Sequence, residues 1–385
     1  KLVQRVEAQG IRTILQTYSW NINQSFSQPI FWRQTEMEAL RFKALFSELK
    51  ADCVIANTTL VTSACLAGWM ANIPVILHLH GLCNQELFPD VDLETFRILE
   101  YMLMSLANRR VAPTNYIKNI YSNIYGWPSD ALQVIPNGVS IPECNQEPAE
   151  PKTKTPEFIM LCTLEPNKNV PMLIKAASIL KDKGINVKFK IYGEGSPAYC
   201  EKLNALMRKN NVMDTVEIHG RTSNTDLVYR DCTGVIVASN IESFSMVAVE
   251  AMSYAKPVIA TRCGGPEEIL QDGETGYLID KNDSQALADK IAALIADPAL
   301  CRTLATKGLQ HCRETFAIQK VAHQWSDLII EETNAFKATS RFKNNLFMAF
   351  MKQILEHKSL ANLCLAAHDT APETTLQPNL SQIQV

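Results

Sequence analysis

Two carboxylates eight residues apart, Glu242 and Glu250, bracket the run ESFSMVAVE inside the longer stretch GVIVASNIESFSMVAVEAMSYAKPVIATRCGGPEEI, from Gly234 to Ile269. Eight residues of helix rise about 12 Å, so even with part of the path in loop the pair is too wide for a retaining hydrolase dyad, whose carboxyl groups sit roughly 5 Å apart. The spacing suits recognition of two distant parts of one long ligand. Between the acids, Ser245, Met246 and Val247 open a helix, where unpaired backbone N–H groups and the helix dipole together favour a phosphate. A sugar near Glu242, a diphosphate at the helix start and a ribose within reach of Glu250 would fit. The competing reading is structural, with Glu250 a solvated helix residue and Glu242 an acidic cap.

Further candidates stand at the ends of predicted strands. Lys168 lies just beyond the strand FIMLC, where a point charge can meet a phosphate leaving group; an exposed loop lysine is the alternative. His80 ends IPVILHLHG before Gly81, and a neutral imidazole there could bond a sugar hydroxyl or shuttle a proton. His78 competes with it and reads as a half-buried strand residue. After VKFKIY comes Gly193-Glu194-Gly195, a turn in which the backbone can pass close to a base or sugar, and Gly193 and Glu194 are assigned to the donor. With no third glycine the turn is not a dinucleotide fingerprint. Gly264 and Gly265, ahead of Pro266, read as a tight turn capping the next helix.

These residues need a scaffold, and the chain supplies one twice. Short β-rich runs divided by amphipathic helices predict a parallel sheet covered on both faces. In the first half, strands are expected at IRTILQT, Asp52 to Ala56, Pro74 to Leu79, Arg109 to Ala112 and Leu132 to Ile135. Helices are expected at about Gln34 to Leu49, Val61 to Ala71, Leu93 to Asn108 and Tyr116 to Tyr125. From Pro142 to Glu157 the composition shifts to PECNQEPAEPKTKTPE, an interdomain linker. A second α/β pattern then starts at Phe158.

The expected division is a first Rossmann-like domain over residues 1–141, the linker over 142–157 and a second Rossmann-like domain over 158–315. A crossover helix follows at 316–335, then an amphipathic helix and polar tail over 336–385. Two such domains in series place a ligand cleft between the carboxyl ends of their sheets. In the tail, Phe342, Leu346, Phe347, Phe350, Met351 and Ile354 share one stripe beside basic residues. Docking onto the protein and lying on a membrane surface are both open readings of it.

Composition narrows the classes. The 385 residues are 46% apolar and 20% charged, enough to bury a full core, and the net charge of −3 argues against a dedicated nucleic-acid binder. No apolar run approaches the ~18 residues of a membrane span and the N-terminus lacks a signal-peptide layout, so a cytoplasmic location is expected. The 11 cysteines show no CxxC or paired Cys/His spacing, which speaks for buried thiols rather than a metal site.

The stretch E-S-F-S-M-V-A-V-E-A-M, followed by KPVIAT, GGPEEI and DGETGYLI, closely resembles the signature of the retaining glycosyltransferases of family 4 (glycosyl transferases group 1), which have the two-domain GT-B fold. The resemblance covers roughly residues 10–335 and includes IPNGV at Ile135, LEPNKN at Leu164, YGEGSP at Tyr192, HG at His219, and DCVIANTTL with HLHGL. It implies that Glu242 contacts donor sugar hydroxyls and Glu250 the ribose. It gives the diphosphate to Lys168 and the Ser245 to Val247 amides, and the sugar ring near the reacting carbon to His80. The implied activity is metal-independent transfer of a sugar from a nucleoside-diphosphate sugar to a glycan, lipid or small-molecule acceptor hydroxyl, with retention and no further cofactor.

Two departures stand against the pattern. Thr163 occupies the position two residues after Leu161 where family members usually carry an Arg that completes a cationic clamp with the Lys. No strand and Gly-rich turn precede Gly10, so the first such unit is expected to be missing. A sugar-nucleotide epimerase of the same fold and an inactive nucleotide-sugar-binding remnant are the rival readings.

Overall fold

A computed structural model of the chain describes residues 2–14, 28–58, 61, 63–81, 101, 104–142 and 155–339. The expected linker (but for its ends), most of the helix predicted near Leu93, the amphipathic helix at 342–354 and the polar tail lie outside these residues. The described residues fall into two compact units, drawn from Lys1–Arg110 with Ile329–Val385 and from Val111–Leu328.

The first unit opens with α1 (Leu2–Glu7) and α2 (Gln28–Leu49), then alternates β1 (Val54–Ala56), α3 (Ser63–Ala71) and β2 (Val75–His78) up to the start of β3 (Arg109–Ala112). Residues Ile11–Ile14 form no strand, contrary to the expectation for IRTILQT. β1 and β2 run parallel with Val54 beside Val75 and Ala56 beside Leu77, within a sheet ordered β1-β2-β3-β4, where β4 is Leu132–Val134. α3 is buried from Ser63 through Gly68. Its Gly68 is required by packing, since a Cβ there would come within 2.1 Å of Val75 Cγ2 on β2. Parallel pairing with a helical crossover explains why β2 is buried along its whole length.

The second unit begins with the rest of β3, α4 (Asn115–Tyr125) and β4 (Leu132–Val134). Its centre is a six-stranded parallel sheet ordered β10-β9-β8-β5-β6-β7. The strands are β5 (Glu157–Leu161), β6 (Lys188–Tyr192), β7 (Val216–His219), β8 (Gly234–Val237), β9 (Val258–Thr261) and β10 (Tyr277–Ile279). Between them run α5 (Val170–Asp182), α6 (Pro197–Lys209), α7 (Thr225–Asp231), α8 (Met246–Ser253), α9 (Gly265–Ile269) and α10 (Ser284–Ala296), followed by α11 (Pro298–Thr315) and α12 (Ile318–Thr339).

β5 shows why the sheet carries helices on both faces. Phe158 and Met160 enter one core with α5, α6 and α10, while Ile159 between them enters a second core with α7, α8 and α11. Alternate side chains point to opposite faces, so a strand that is apolar at consecutive positions, as Phe158 to Leu161 are, must be covered twice. The sheet grows outward from β5 in both directions, through β6 and β7 on one side and β8 to β10 on the other. The crevice between the carboxyl ends of β5 and β8 is thus the topological switch point, where open α/β sheets bind ligands.

Residues 111–142 pack with this second sheet. Thr114 caps α4 by accepting from Ile117 N at 3.2 Å and donates its own hydroxyl to Ser243 O at 2.8 Å. The Glu268 carboxylate accepts from Asn115 N at 2.7 Å and from Tyr116 N, closing the positive end of α4. α12 begins in this unit and ends in the first, where Arg109 meets Glu331 at 2.8 Å and the buried Glu332.

Candidate active site

The loops that leave β5 and β8 hold the charged candidates. After β5 the chain makes a short turn at Pro166–Lys168 and enters α5 through Asn169 in the left-handed region, φ 51°. After β8 the loop 238–245 passes directly over this turn. Asn167 stitches the two together: its Nδ2 donates to Ile241 O at 3.1 Å, its Oδ1 accepts from Ile241 N at 3.1 Å, and its backbone O accepts from Asn240 N at 2.8 Å. With Asn167 fixed to Ile241, the next residue on each strand end meets the other. Lys168 Nζ donates to Glu242 Oε1 at 2.7 Å, the two side chains 22% and 17% exposed. Ser239 Oγ donates to the same Oε1 at 2.8 Å.

The backbone of Glu242 is held from its far side. Its N donates to Cys263 O at 2.9 Å and its O accepts from Gly265 N at 2.7 Å, a one-residue parallel bridge to the turn after β9. The Gly264-Gly265 pair is what permits this crossing. Gly264 has φ 110° and a Cβ on it would enter the Tyr116 ring at 2.3 Å, while one on Gly265 would stand 2.3 Å from Phe244 O. Gly264 N donates to Glu267 Oε2 at 2.9 Å, so the turn also caps α9, as its sequence suggests.

α8 starts at this loop. Its N-cap, Ser245, is buried and sits at φ 93°, a conformation that costs a non-glycine residue of order 1–3 kcal/mol and is met mainly where function demands it. No side chain caps α8, so the amides of its first turn, at Met246 and Val247, stand at a helix N-terminus without that competitor. One helical turn on, the half-buried Glu250 accepts from Tyr229 Oη at 2.7 Å. Burial and the Glu250 charge push the Tyr229 phenol far up, which keeps it a donor.

Gly193 and Glu194 follow β6 beside the same crevice. Leu164 N donates to Glu194 O at 2.8 Å and Gly193 N to His219 O at 3.3 Å. The Gly193 Cα lies so close to the neighbouring chain that a Cβ would be 1.7 Å from Cys162 O. Glu194 itself is exposed. Tyr192 and His219 stack with ring centroids 5.0 Å apart at 19°, forming a flat platform next to the Gly193 turn. Thr163, where the arginine would stand, turns its hydroxyl to Glu165 Oε1 at 2.6 Å.

His80 belongs to the first unit and follows the carboxyl end of β2. His80 Nε2 lies 2.8 Å and His78 Nδ1 3.0 Å from the single acceptor Asn57 Oδ1, and the rings are 3.8 Å apart. With both imidazoles donating to that oxygen, His80 keeps its Nδ1 lone pair for another partner. Burial lowers the pKa of His80; burial and then the neighbouring His80 lower that of His78 to about 3, so both are neutral at pH 7. His78 is fully inside, deeper than the half-buried strand residue expected.

The structure therefore brings Lys168, Glu242 and the Ser245–Val247 turn into one crevice of the second unit, with Glu250, Gly193 and Glu194 on the adjoining elements. Asn167, Ser239, Tyr229 and Asn57 were missed. Asn167 stands beside Lys168 in LEPNKN and could have been noticed; Tyr229 is 21 residues from Glu250 and no spacing rule connects them. Among the described residues no three His, Cys, Asp or Glu gather as metal ligands would. None of their helices is long and apolar enough to cross a membrane.

The chain as a whole is similar to known proteins. Residues 143–311 match the model of glycosyl transferases group 1 and residues 13–142 that of Glycosyltransferase Family 4. An uncharacterized glycosyltransferase of Methanocaldococcus jannaschii is 31% identical over 265 residues, 66% of this chain and 70% of the relative. A D-inositol 3-phosphate glycosyltransferase of Xylanimonas cellulosilytica is 27% identical over 69% of each chain. The chain spans only 33% of a Staphylococcus aureus poly(ribitol-phosphate) alpha-N-acetylglucosaminyltransferase, at 29% identity. Among solved structures, Anabaena HepE in complex with UDP-glucose superposes with a TM-score of 0.71 at 21% identity, over 85% of this chain and 88% of that one. Sucrose-phosphate synthase from Thermosynechococcus elongatus gives 0.67 at 22% identity over 80% of each. At such identities the likeness is one of fold, and that fold is GT-B.

Proposed function

The chain belongs to the glycosyltransferases, and from that premise we propose that it moves a hexose-type sugar from a nucleoside-diphosphate sugar to an acceptor hydroxyl with retention at the anomeric carbon. The single observation that carries the reading is the Lys168–Glu242 pair set against the uncapped start of α8. A diphosphate takes the Met246 and Val247 amides and Lys168, the sugar hydroxyls take Glu242, and the ribose takes Glu250. Glu242 Oε1 already accepts from Lys168 and Ser239, so Oε2 is the oxygen that meets a sugar hydroxyl. Gly193 and Glu194 line the donor from the β6 side. His80, in the first unit, is neutral and offers its Nδ1 lone pair to a sugar hydroxyl, the role the family resemblance implies for it.

In the reaction the bond from the anomeric carbon to the β-phosphate oxygen breaks and the bond to the acceptor oxygen forms on the same face. The acceptor proton passes to the departing diphosphate. The protein contributes positioning and a fixed positive environment for the leaving group, from Lys168 and the helix N-terminus, and no step needs a metal or a further cofactor. The acceptor is a glycan, lipid or small molecule. The protein works in the cytoplasm, and contact with a membrane surface would come through the basic amphipathic segment at 342–354.

The test is incubation with radiolabelled nucleotide sugars and acceptor mixtures, following nucleoside diphosphate release and the anomeric coupling of the product by NMR. Lys168→Ala and Glu242→Ala are expected to abolish transfer while circular dichroism stays native. Undiminished turnover in both variants, or a product of inverted configuration, would refute the proposal. One observation favours a second reading, a chain that binds the nucleotide sugar without turning it over: Thr163 spends its hydroxyl on Glu165 and adds no charge to the diphosphate clamp. Calorimetric binding without any product would select it.

A further inference from the structure

α7 and α8 are joined by two tyrosine hydroxyls that point in opposite senses along the chain. Tyr229 on α7 donates to Glu250 Oε2 on α8 at 2.7 Å, and Tyr254, at the C-cap of α8, donates to Asp226 Oδ1 on α7 at 2.7 Å. The two rings stack with centroids 5.2 Å apart at 17°. One of these bonds closes on an exposed surface, where Asp226 is also paired with Arg230 and is half exposed. The other closes on the carboxylate that belongs to the donor run. A buried tyrosine must find a partner for its hydroxyl, but Tyr229, 1% exposed, has found one that a ligand also needs.

We propose that Tyr229 is a positioning residue for the donor ribose: its hydroxyl fixes the Glu250 carboxylate through Oε2 and leaves Oε1 to accept from the ribose hydroxyls of a nucleoside diphosphate. The inference rests on the reading of Glu250 as the ribose contact. The physical gain is preorganisation. A glutamate on a helix surface loses considerable rotamer freedom when it is immobilised, and a ligand that must do the immobilising binds more weakly than one that finds it done. Tyr229 is suited to the task because its ring is locked by stacking and burial, and because its hydroxyl stays protonated well above neutral pH beside the Glu250 charge. Tyr254 supplies the internal control, being the same bond between the same two helices without the donor-facing acid.

Titration calorimetry tests this on the full chain, with uridine, guanosine and adenosine diphosphates as probes and the tightest of the three carried forward with its 2′,3′-dideoxy counterpart. Tyr229→Phe is expected to weaken the ribose-bearing nucleotide about tenfold and to leave the dideoxy nucleotide at the affinity of the unaltered chain. Tyr254→Phe leaves both unchanged. Equal affinity of Tyr229→Phe and the unaltered chain for the ribose nucleotide overturns the inference. So does equal weakening of both nucleotides, which marks a purely structural bond. Glu250→Ala separates this failure from that of the underlying reading. If Glu250→Ala loses the ribose preference while Tyr229→Phe keeps it, the ribose contact stands and only the role of Tyr229 falls. If Glu250→Ala keeps it, or no diphosphate binds the unaltered chain, both fall.

Discussion

Neutralising Glu242 and removing Lys168 should have opposite effects on the nucleotide although the two side chains form one ion pair. The pair is 2.7 Å long with about a fifth of each side chain exposed. Exposed pairs contribute about 0–1 kcal/mol and breaking a buried one costs about 3–5 kcal/mol, so this pair belongs between, at about 1–3 kcal/mol. Both Glu242→Gln and Lys168→Met should lower stability by that order, and their double-mutant cycle should return a coupling of about 1–2 kcal/mol. Binding divides them. Lys168→Met removes a charged hydrogen bond to phosphate, about 2 kcal/mol, or roughly thirtyfold in affinity for a nucleoside diphosphate. Glu242→Gln removes the carboxylate that competes with the phosphate for Lys168 and a negative charge beside it, so the sugar-free diphosphate should bind at least as tightly as before. Transfer of the sugar nevertheless falls. Calorimetry with the diphosphate and urea denaturation of the three variants decide the matter. Equal weakening of the diphosphate by both substitutions would refute the assignment of Lys168 to phosphate and Glu242 to sugar.

Two further outcomes follow from the packing. A Cβ on Gly193 would lie 1.7 Å from Cys162 O, backbone against backbone, whereas one on Gly220 meets nothing within 4 Å. Gly193→Ala should cost about 3 kcal/mol and Gly220→Ala within about 0.5 kcal/mol, read from denaturant midpoints; indistinguishable midpoints would contradict the close crossing of these strand ends. His78 sets a pH dependence. Burial and then His80 hold its folded pKa at about 3, below its ordinary 6.5, so between these values the unfolded chain takes up a proton that the folded chain refuses. Stability is fully present above 6.5 and declines as pH falls toward 3, by at most about 1.4 kcal/mol per pH unit from this group. Urea melts at pH 7 and pH 5 should converge for a His78→Asn variant relative to the unaltered chain, and an unchanged difference would remove His78 from the account.

What the sequence made legible was local. The run from Gly234 to Ile269 reads as strand, loop, helix, strand and glycine turn because each element announces itself within a few residues, and the structure places β8, α8, β9 and α9 there. The helix start at Ser245 follows from the same run, but its lack of a side-chain cap does not, since serine is a preferred N-cap residue. What stayed hidden was long-range: the Asn167 amide on Ile241 spans 74 positions and the Tyr229 hydroxyl on Glu250 spans 21, and no periodicity encodes such pairs. The meeting of Lys168 with Glu242 depends on β5 lying beside β8, a strand order that only the assembled sheet determines. Residues 111–142 read as part of the first half by chain order, yet Thr114 and Glu268 tie them to the second sheet by capping bonds that a propensity pattern does not carry.

The central claim is that a nucleotide sugar lies along α8 from Glu242 to Glu250, and a crystal structure of the chain soaked with its preferred nucleoside diphosphate tests it most directly. The account predicts phosphate oxygens within hydrogen-bond distance of the Met246 and Val247 amides and of Lys168 Nζ, with a ribose hydroxyl on Glu250. A nucleotide ordered elsewhere, with this helix start bare and the Lys168–Glu242 pair undisturbed, would contradict it.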